Sequence, residues 1–285
     1  MKIALIVNTE KEKAINCSKK ISELFDLWKV QCLMHSAEKE LAGISQAKAF
    51  DTYEELISAC DVVVTVGGDG TFIRSARFAV TKSKPIIGIN LGRLGYVAEL
   101  EESEISMLSK LISGDFSVLE RTVLSVEVRD EKDDVRSFLV VNDANISRSH
   151  LSGMAELEVC ADGEKIASYR ADGLLFSTPT GSTAYALSAG GPVIDPKLNL
   201  IELTPLCPHS LTARPVLFSN DTVFTVVSKT KEEVYLAVDG QEFLTLKNTD
   251  TVKVRASEYK LSTIVLKDRN FYKLAGEKLR EGEFK

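Results

Sequence analysis

The chain predicts an α/β N-terminal domain with a mostly parallel sheet, plus a mainly β, sandwich-like C-terminal domain. Three observations carry this expectation. Short apolar runs alternate with helix-spaced apolar positions over residues 1–116. Strand-period alternation takes over at Thr122. Two Asp-Gly pairs then sit between strand-like arms. Alternating strands and helices imply βαβ units and a parallel sheet, whereas runs of strands joined by tight turns imply antiparallel sheets.

In chain order, Ile3–Val7 reads as a buried strand, and Ile21, Leu24, Phe25 and Trp28 repeat at helical spacing, with Trp28 expected in the core. Val30–Met34 is a further apolar run whose state the pattern leaves open, Thr52–Cys60 a short helix and Val62–Val66 a strand. Pro85–Asn90 reads as another strand, and Ile105, Leu108, Leu111 and Ile112 as a helix. The texture changes near Gly114-Asp115, which sets a first domain at 1–116 and a second at 117–265. The closing segment, 266–285, either returns to the first domain or stays partly loose. In the second domain the alternation over Thr122–Arg129 is a strand. Leu157–Ala161 and Glu164–Tyr169 flank Asp162-Gly163, and Val234–Val238 and Gln241–Leu246 flank Asp239-Gly240, so both are hairpins. Thr222–Val227, Thr251–Arg255 and Lys260–Leu266 add separate strand-like runs.

Bulk properties narrow the function. A length of 285 residues suits two ordinary domains. The net charge of −6 comes without a basic block, which argues against a nucleic-acid binder. Five scattered cysteines lack a metal or disulfide spacing and suit a reducing cytosol. The N-terminal apolar run is too short for a signal peptide, and nothing reaches the length of a membrane span, so the expected location is cytoplasmic.

Chemistry concentrates in three places. In VVVTVGGDGTFIR a strand breaks into Gly67-Gly68-Asp69-Gly70-Thr71. This is neither the dinucleotide fingerprint nor the lysine-bearing phosphate loop. Glycines still let the main chain approach a ligand, and a helix beginning near Thr71 or Phe72 would aim N–H groups at phosphate. Asp69 is then a magnesium ligand, a base for a hydroxyl nucleophile, or simply a turn former. The second place is Tyr169–Pro192, where a short strand, Leu174–Ser177, runs into Thr178-Pro179-Thr180-Gly181-Ser182-Thr183 and then a helix containing Ala184–Ser188. Four hydroxyls beside a helix start offer donors to phosphate or ribose, and Tyr185 offers a ring for stacking. The third is Asn142-Asp143 at the end of an apolar run; such a pair alone is more often a turn than a site.

Together, GGDGT at Gly67–Thr71, the Asn142-Asp143 pair and RADGLLFSTPTGSTAY at Arg170–Tyr185 resemble the NAD kinase family. NLGRLGYVAEL at Asn90–Leu100 and HSLTARPV at His209–Val216 also look like the family, so the resemblance spans most of the chain. It implies phosphorylation of the 2′-hydroxyl of the adenosine ribose of NAD by ATP with a divalent metal, magnesium in the first instance. It further implies Asp69 as the base, with Gly67, Gly68 and Thr71 as the phosphate loop. Asp69, Gly70, Asn142, Asp143, Arg170, Asp172, Thr183, Ala184, Tyr185, Ala186, Leu187 and Ser188 are the implied NAD-binding positions. Arg74 and Gln241 are weaker candidates. Where many relatives carry a basic residue this chain has Gly153, with His150 or Arg148 as substitutes. The family also implies homodimers or homotetramers; metal ligands stay unassigned. A lipid or sugar kinase sharing the GGDG loop, or a non-catalytic NAD(P) sensor, are the competing readings. No membrane-facing segment supports the first, and the presence of Asp69 disfavours the second.

Overall fold

The computed structural model describes residues 1–92, 95–148, 153–230, 233–267 and 270–282. Contacts divide the chain into two compact units: Met1–Glu120 together with the segment from Tyr259 onward, and Arg121–Glu258.

The first unit opens with β1 (Lys2–Val7), α1 (Glu12–Leu27), β2 (Gln31–His35), α2 (Ser36–Ala42), β3 (Lys48–Phe50) and α3 (Tyr53–Ala59). The open run Val30–Met34 is thus mostly β2. Next come β4 (Val62–Gly67), α4 (Asp69–Thr81), β5 (Ile86–Asn90) and a two-residue β6 (Leu100–Glu101). Strands β3-β2-β1-β4-β5 lie side by side in that order, all parallel. Helix α1 forms because Ala14, Cys17, Ile21 and Phe25 bury one face at helical spacing. Trp28 caps its C-terminus and is only partly buried against the core, because the helix ends one residue earlier. Thr52 caps α3 by accepting the Glu55 N–H at 3.2 Å. The helix expected at Ile105–Ile112 is instead a 3₁₀ segment, Glu102–Leu108, and one α-turn, α5 (Ser109–Ser113), ended by Gly114 at φ 74°.

The second unit contains most of β7 (Ser117–Arg129), then β8 (Val135–Val140), β9 (Asp143–Arg148), β10 (Ala155–Ala161), β11 (Glu164–Ala171) and β12 (Gly173–Ser177). The short helix α6 (Tyr185–Ser188) precedes β13 (Leu200–Leu206), β14 (Val216–Ser219), β15 (Phe224–Ser228), β16 (Val234–Val238) and β17 (Glu242–Leu246). One antiparallel sheet runs β14-β13-β12-β9-β16-β17. Facing it are β11-β10-β15 with the first part of β18 (Thr251–Val265), and the β7–β8 hairpin. Their apolar faces share one core, with Phe176 and Phe224 at 5.1 Å between ring centroids, so this unit is a sandwich. Both Asp-Gly hairpins form, with Asp162, Gly163, Asp239 and Gly240 all at positive φ. The two runs Thr251–Arg255 and Lys260–Leu266 prove to be one 15-residue strand, β18, because the polar stretch between them keeps extended backbone.

The end of β18 and α7 (Phe271–Gly282) belong to the first unit. Thr263 pairs with Ile86 of β5, and Ile264 and Leu266 enter the first unit's core. Among the described residues no helix is long and apolar enough to cross a membrane. All five cysteines are free, and only Cys207 is exposed.

Candidate active site

In the first unit the sheet order turns back between β1 and β4, and a ligand crevice in such sheets lies at the carboxyl ends of the strands on either side of that point. Those ends carry Asn8, whose N–H donates to Val66 O at 3.0 Å, and Gly67. Helix α4 starts at Asp69 with Gly68 as its N-cap, two residues earlier than the sequence suggests. Asp69 therefore lies in the first helical turn, where a carboxylate complements the helix dipole.

Its surroundings are specific. The Tyr96 N–H donates to Asp69 Oδ2 at 3.0 Å. Asp69 Oδ1 is buried and has no hydrogen-bond partner among the described residues. A Cβ on Gly95 would lie 2.1 Å from that oxygen, so no other residue fits there without displacing the carboxylate. Gly67 is equally constrained, since a Cβ would sit 2.5 Å from Thr71 Oγ1. Gly68 and Gly70, by contrast, face open space, with nothing within 4 Å of a Cβ position. The loop thus combines two open glycines with one fixed carboxylate whose second oxygen awaits a donor. Arg74, one turn along α4, is exposed; burial raises the carboxyl of Glu38, against the Tyr53 hydroxyl, the Val7 N–H and, least, the charges of His35 and Arg74.

In the second unit Asn142-Asp143 begins β9 beside the start of the Thr/Ser/Gly stretch. Thr178 N–H donates to Asn142 O at 2.9 Å and Thr178 Oγ1 to Val141 O at 2.6 Å. Gly181 must be glycine, because a Cβ would lie 2.1 Å from Asn142 O. The expectation that four hydroxyls present donors to a ligand is corrected here for three of them, since Thr178, Ser182 and Thr183 donate within the chain. Thr178 is spent on Val141, and Ser182 Oγ donates to Pro179 O at 2.8 Å and accepts the Ile194 N–H at 3.0 Å. Thr183 Oγ1 donates to Thr180 O at 3.3 Å, and Thr180 Oγ1 accepts from Arg121 Nη1 at 3.3 Å. Buried hydroxyls must be paired, and in a loop without ladder partners they pair locally. What the stretch does present is Tyr185 and Ser188, both exposed, while Ala186 is fully buried against Leu175 and Leu206.

Asp143 is buried, and its carboxyl is pushed up to about 7 by that burial, by the neighbouring Asp239 carboxylate and by Glu202. Burial raises Glu202 as well, against the Thr204 hydroxyl that donates to its Oε1 at 2.7 Å. Asn142 Oδ1 is buried without a partner among the described residues. Asp172 is paired with Arg148 Nη2 at 2.8 Å, and Arg148 Nη1 also donates to Gly153 O at 2.9 Å. Arg148 therefore braces Asp172, and Gly153, at φ 83°, takes a conformation that suits glycine. His150 lies outside the described residues. Arg170 and Gln241 are exposed on the surface of the second unit. Sequence reasoning gave no individual role to Gly95, Tyr96, Gly181 and Glu202, and took Asp239 for a turn residue only; the first three lie within the family-like stretches Asn90–Leu100 and Arg170–Tyr185, but their contacts with Asp69 and Asn142 cross long sequence gaps.

Comparison with known proteins places the chain. Residues 3–116 match the ATP-NAD kinase N-terminal domain and residues 141–266 the ATP-NAD kinase C-terminal domain. An NAD kinase of Geobacter sulfurreducens is 37% identical over 94% of this chain and 95% of its own length. An NAD kinase of Moorella thermoacetica is 37% identical over 99% of this chain and 90% of its own. Yeast NADH kinase complexed with NADH superposes with a TM-score of 0.88 at 22% identity, covering 100% of this chain and 89% of that one. An Archaeoglobus fulgidus NAD kinase in complex with ATP gives 0.76 at 24% identity, covering 98% and 99%. These two show the fold. With both domain models met in order and relatives matched end to end, the chain belongs to the NAD kinase family.

Proposed function

We propose that the protein transfers the terminal phosphoryl group of ATP to the 2′-hydroxyl of the adenosine ribose of NAD, giving NADP. The observation that carries this reading is Asp69, whose Oδ2 is tied to the Tyr96 N–H while the buried Oδ1 is left open. A ribose hydroxyl is a weak nucleophile, and phosphoryl transfer depends mainly on positioning and charge stabilisation. The hydroxyl oxygen forms a bond to the terminal phosphorus, the bond to the bridging oxygen breaks, and ADP departs. Asp69 Oδ1 orients the hydroxyl and takes its proton. The Gly67–Thr71 loop and the first turn of α4 offer main-chain N–H groups to phosphate. Asn142, Asp143, Arg170, Asp172 and the Thr183–Ser188 segment, through its backbone and the Tyr185 ring, hold the dinucleotide; Arg74 and Gln241 lie at its margin.

A divalent cation such as magnesium, when bound with ATP, supplies positive charge against the triphosphate. No group of three or more His, Cys, Asp or Glu side chains able to hold a metal occurs among the described residues. The proposal includes a cytoplasmic homodimer or homotetramer, which light scattering checks.

The test is an assay with NAD and Mg-ATP that detects NADP, with sphingosine, diacylglycerol and fructose 6-phosphate as control acceptors. Asp69→Asn is expected to lose turnover by at least ~10²-fold, the lower range for a general base, while NAD binding persists. Near-normal turnover in that variant removes the base role; phosphorylation of a control acceptor in preference to NAD removes the proposed substrate.

A further inference from the structure

We infer that Asp239 is a positioning residue for the dinucleotide-binding pair Asn142-Asp143, holding their main chain through its carboxylate rather than serving only as a hairpin turn residue. The inference rests on the reading that Asn142 and Asp143 contact NAD.

The geometry is a complete hydrogen-bond account of three consecutive residues. Asp239 accepts the N–H groups of Val141 at 3.1 Å, Asn142 at 2.7 Å and Asp143 at 3.2 Å. Its own N–H donates to Asp143 O at 2.9 Å. The remaining carbonyls, of Val141 and Asn142, are taken by Thr178 Oγ1 and Thr178 N–H. Every main-chain polar group from Val141 to Asp143 is thereby committed, as buried backbone requires. Only the Asn142 side chain is left with a buried, unpartnered acceptor, Oδ1. Successive N–H groups converging on one point form an anion-binding nest. Here the anion is the chain's own carboxylate, brought in from nearly a hundred residues away.

The alternative is that Asp239 is there for its turn. It sits at φ 49°, ahead of Gly240 in the three-residue loop between β16 and β17, and both Asp and Asn suit that position. The two roles therefore part on one substitution. Asn keeps the turn, but it has one acceptor oxygen, and its NH₂ group would face N–H donors.

The experiment compares Asp239→Asn, Asn142→Ala and the double variant in full-length protein, by steady-state kinetics at varied NAD and varied ATP. Asp239→Asn should fold, with unchanged far-UV circular dichroism. It should raise KM for NAD about tenfold, leaving kcat and KM for ATP within about twofold of the parent. Asn142→Ala should also raise KM for NAD, and the double variant should add little to either single change. If Asp239→Asn fails to fold, Asp239→Glu, which keeps the charge but overshoots the nest by one methylene, should give the same selective rise. Should Asn142→Ala raise KM for NAD while Asp239→Asn matches the parent, Asp239 is a turn residue and the proposal is overturned. An unchanged KM in Asn142→Ala removes the NAD-contact reading and the proposal with it. Equal losses toward NAD and ATP in the Asp239 variants mark general destabilisation and also overturn it.

Discussion

Asp143 and Gly95 show how much single positions carry. The Asp143 carboxyl has an ordinary value of 3.8 and is lifted to about 7 in the folded chain. Below both values the proton is bound in either state. Between them only the native state holds it, so stability falls as pH rises across this window and levels off above about 7. The ceiling on that loss is about 4 kcal/mol, from 1.36 kcal/mol per unit. Asp143→Asn removes the penalty. Thermal unfolding should show the variant close to the parent below about pH 4 and the more stable of the two at pH 8, although its NAD affinity should drop. Gly95 makes a different demand, because any side chain displaces Asp69 Oδ1. Gly95→Ala should cost at least ~10-fold in kcat with little change in thermal stability, since the carboxylate moves while the core is untouched.

At the scale of elements, the strands and both hairpins are legible because period-two patterns and Asp-Gly turns are local signals. The loop after β4 is legible as a phosphate-tolerant bend for the same reason. The start of α4 is not, because Gly68 caps it with no side-chain bond and leaves no capping residue to read. Nor is the joining of β18 into one strand, since the alternation of buried and exposed positions breaks over Arg255–Lys260 while the backbone stays extended. The Thr178–Thr183 stretch reads as a set of ligand donors for a related reason. Hydroxyl content is visible in sequence, but whether a hydroxyl is already spent depends on distant carbonyls such as Val141 O. Thr178→Val, which keeps shape and deletes that hydroxyl, should cost on the order of 1–3 kcal/mol in chemical denaturation by leaving Val141 O and the Gly181 N–H unpaired. A stability equal to the parent would contradict its role as a staple.

At the scale of the whole molecule, the first unit is discontinuous in sequence: it needs the chain from Tyr259 onward. Ile264 and Leu266 fill its core, and Thr263 Oγ1 donates to Leu119 O at 3.0 Å. The division of the chain is legible in composition only as a change of texture, because the boundaries near Arg121 and Glu258 fall inside β7 and β18. A chain stopped after Glu258 should lose cooperative unfolding of the first unit, as read by Trp28 fluorescence. Adding residues 259–285 as a separate peptide should restore part of it.

That segment also braces the chain that holds Asp69. The N–H groups of Leu266 and Lys267 donate to Glu99 Oε1 at 3.0 and 3.2 Å, and Glu99 N–H in turn donates to Gly88 O at 3.0 Å. Three residues before Glu99, Tyr96 holds Asp69. On the ribosome, domains fold as their residues emerge; here part of the support behind Asp69 is translated 167 residues after Glu99. A nascent chain of this protein therefore exposes its glycine-rich loop well before the Leu266 and Lys267 main chain is in place to brace Glu99 behind it.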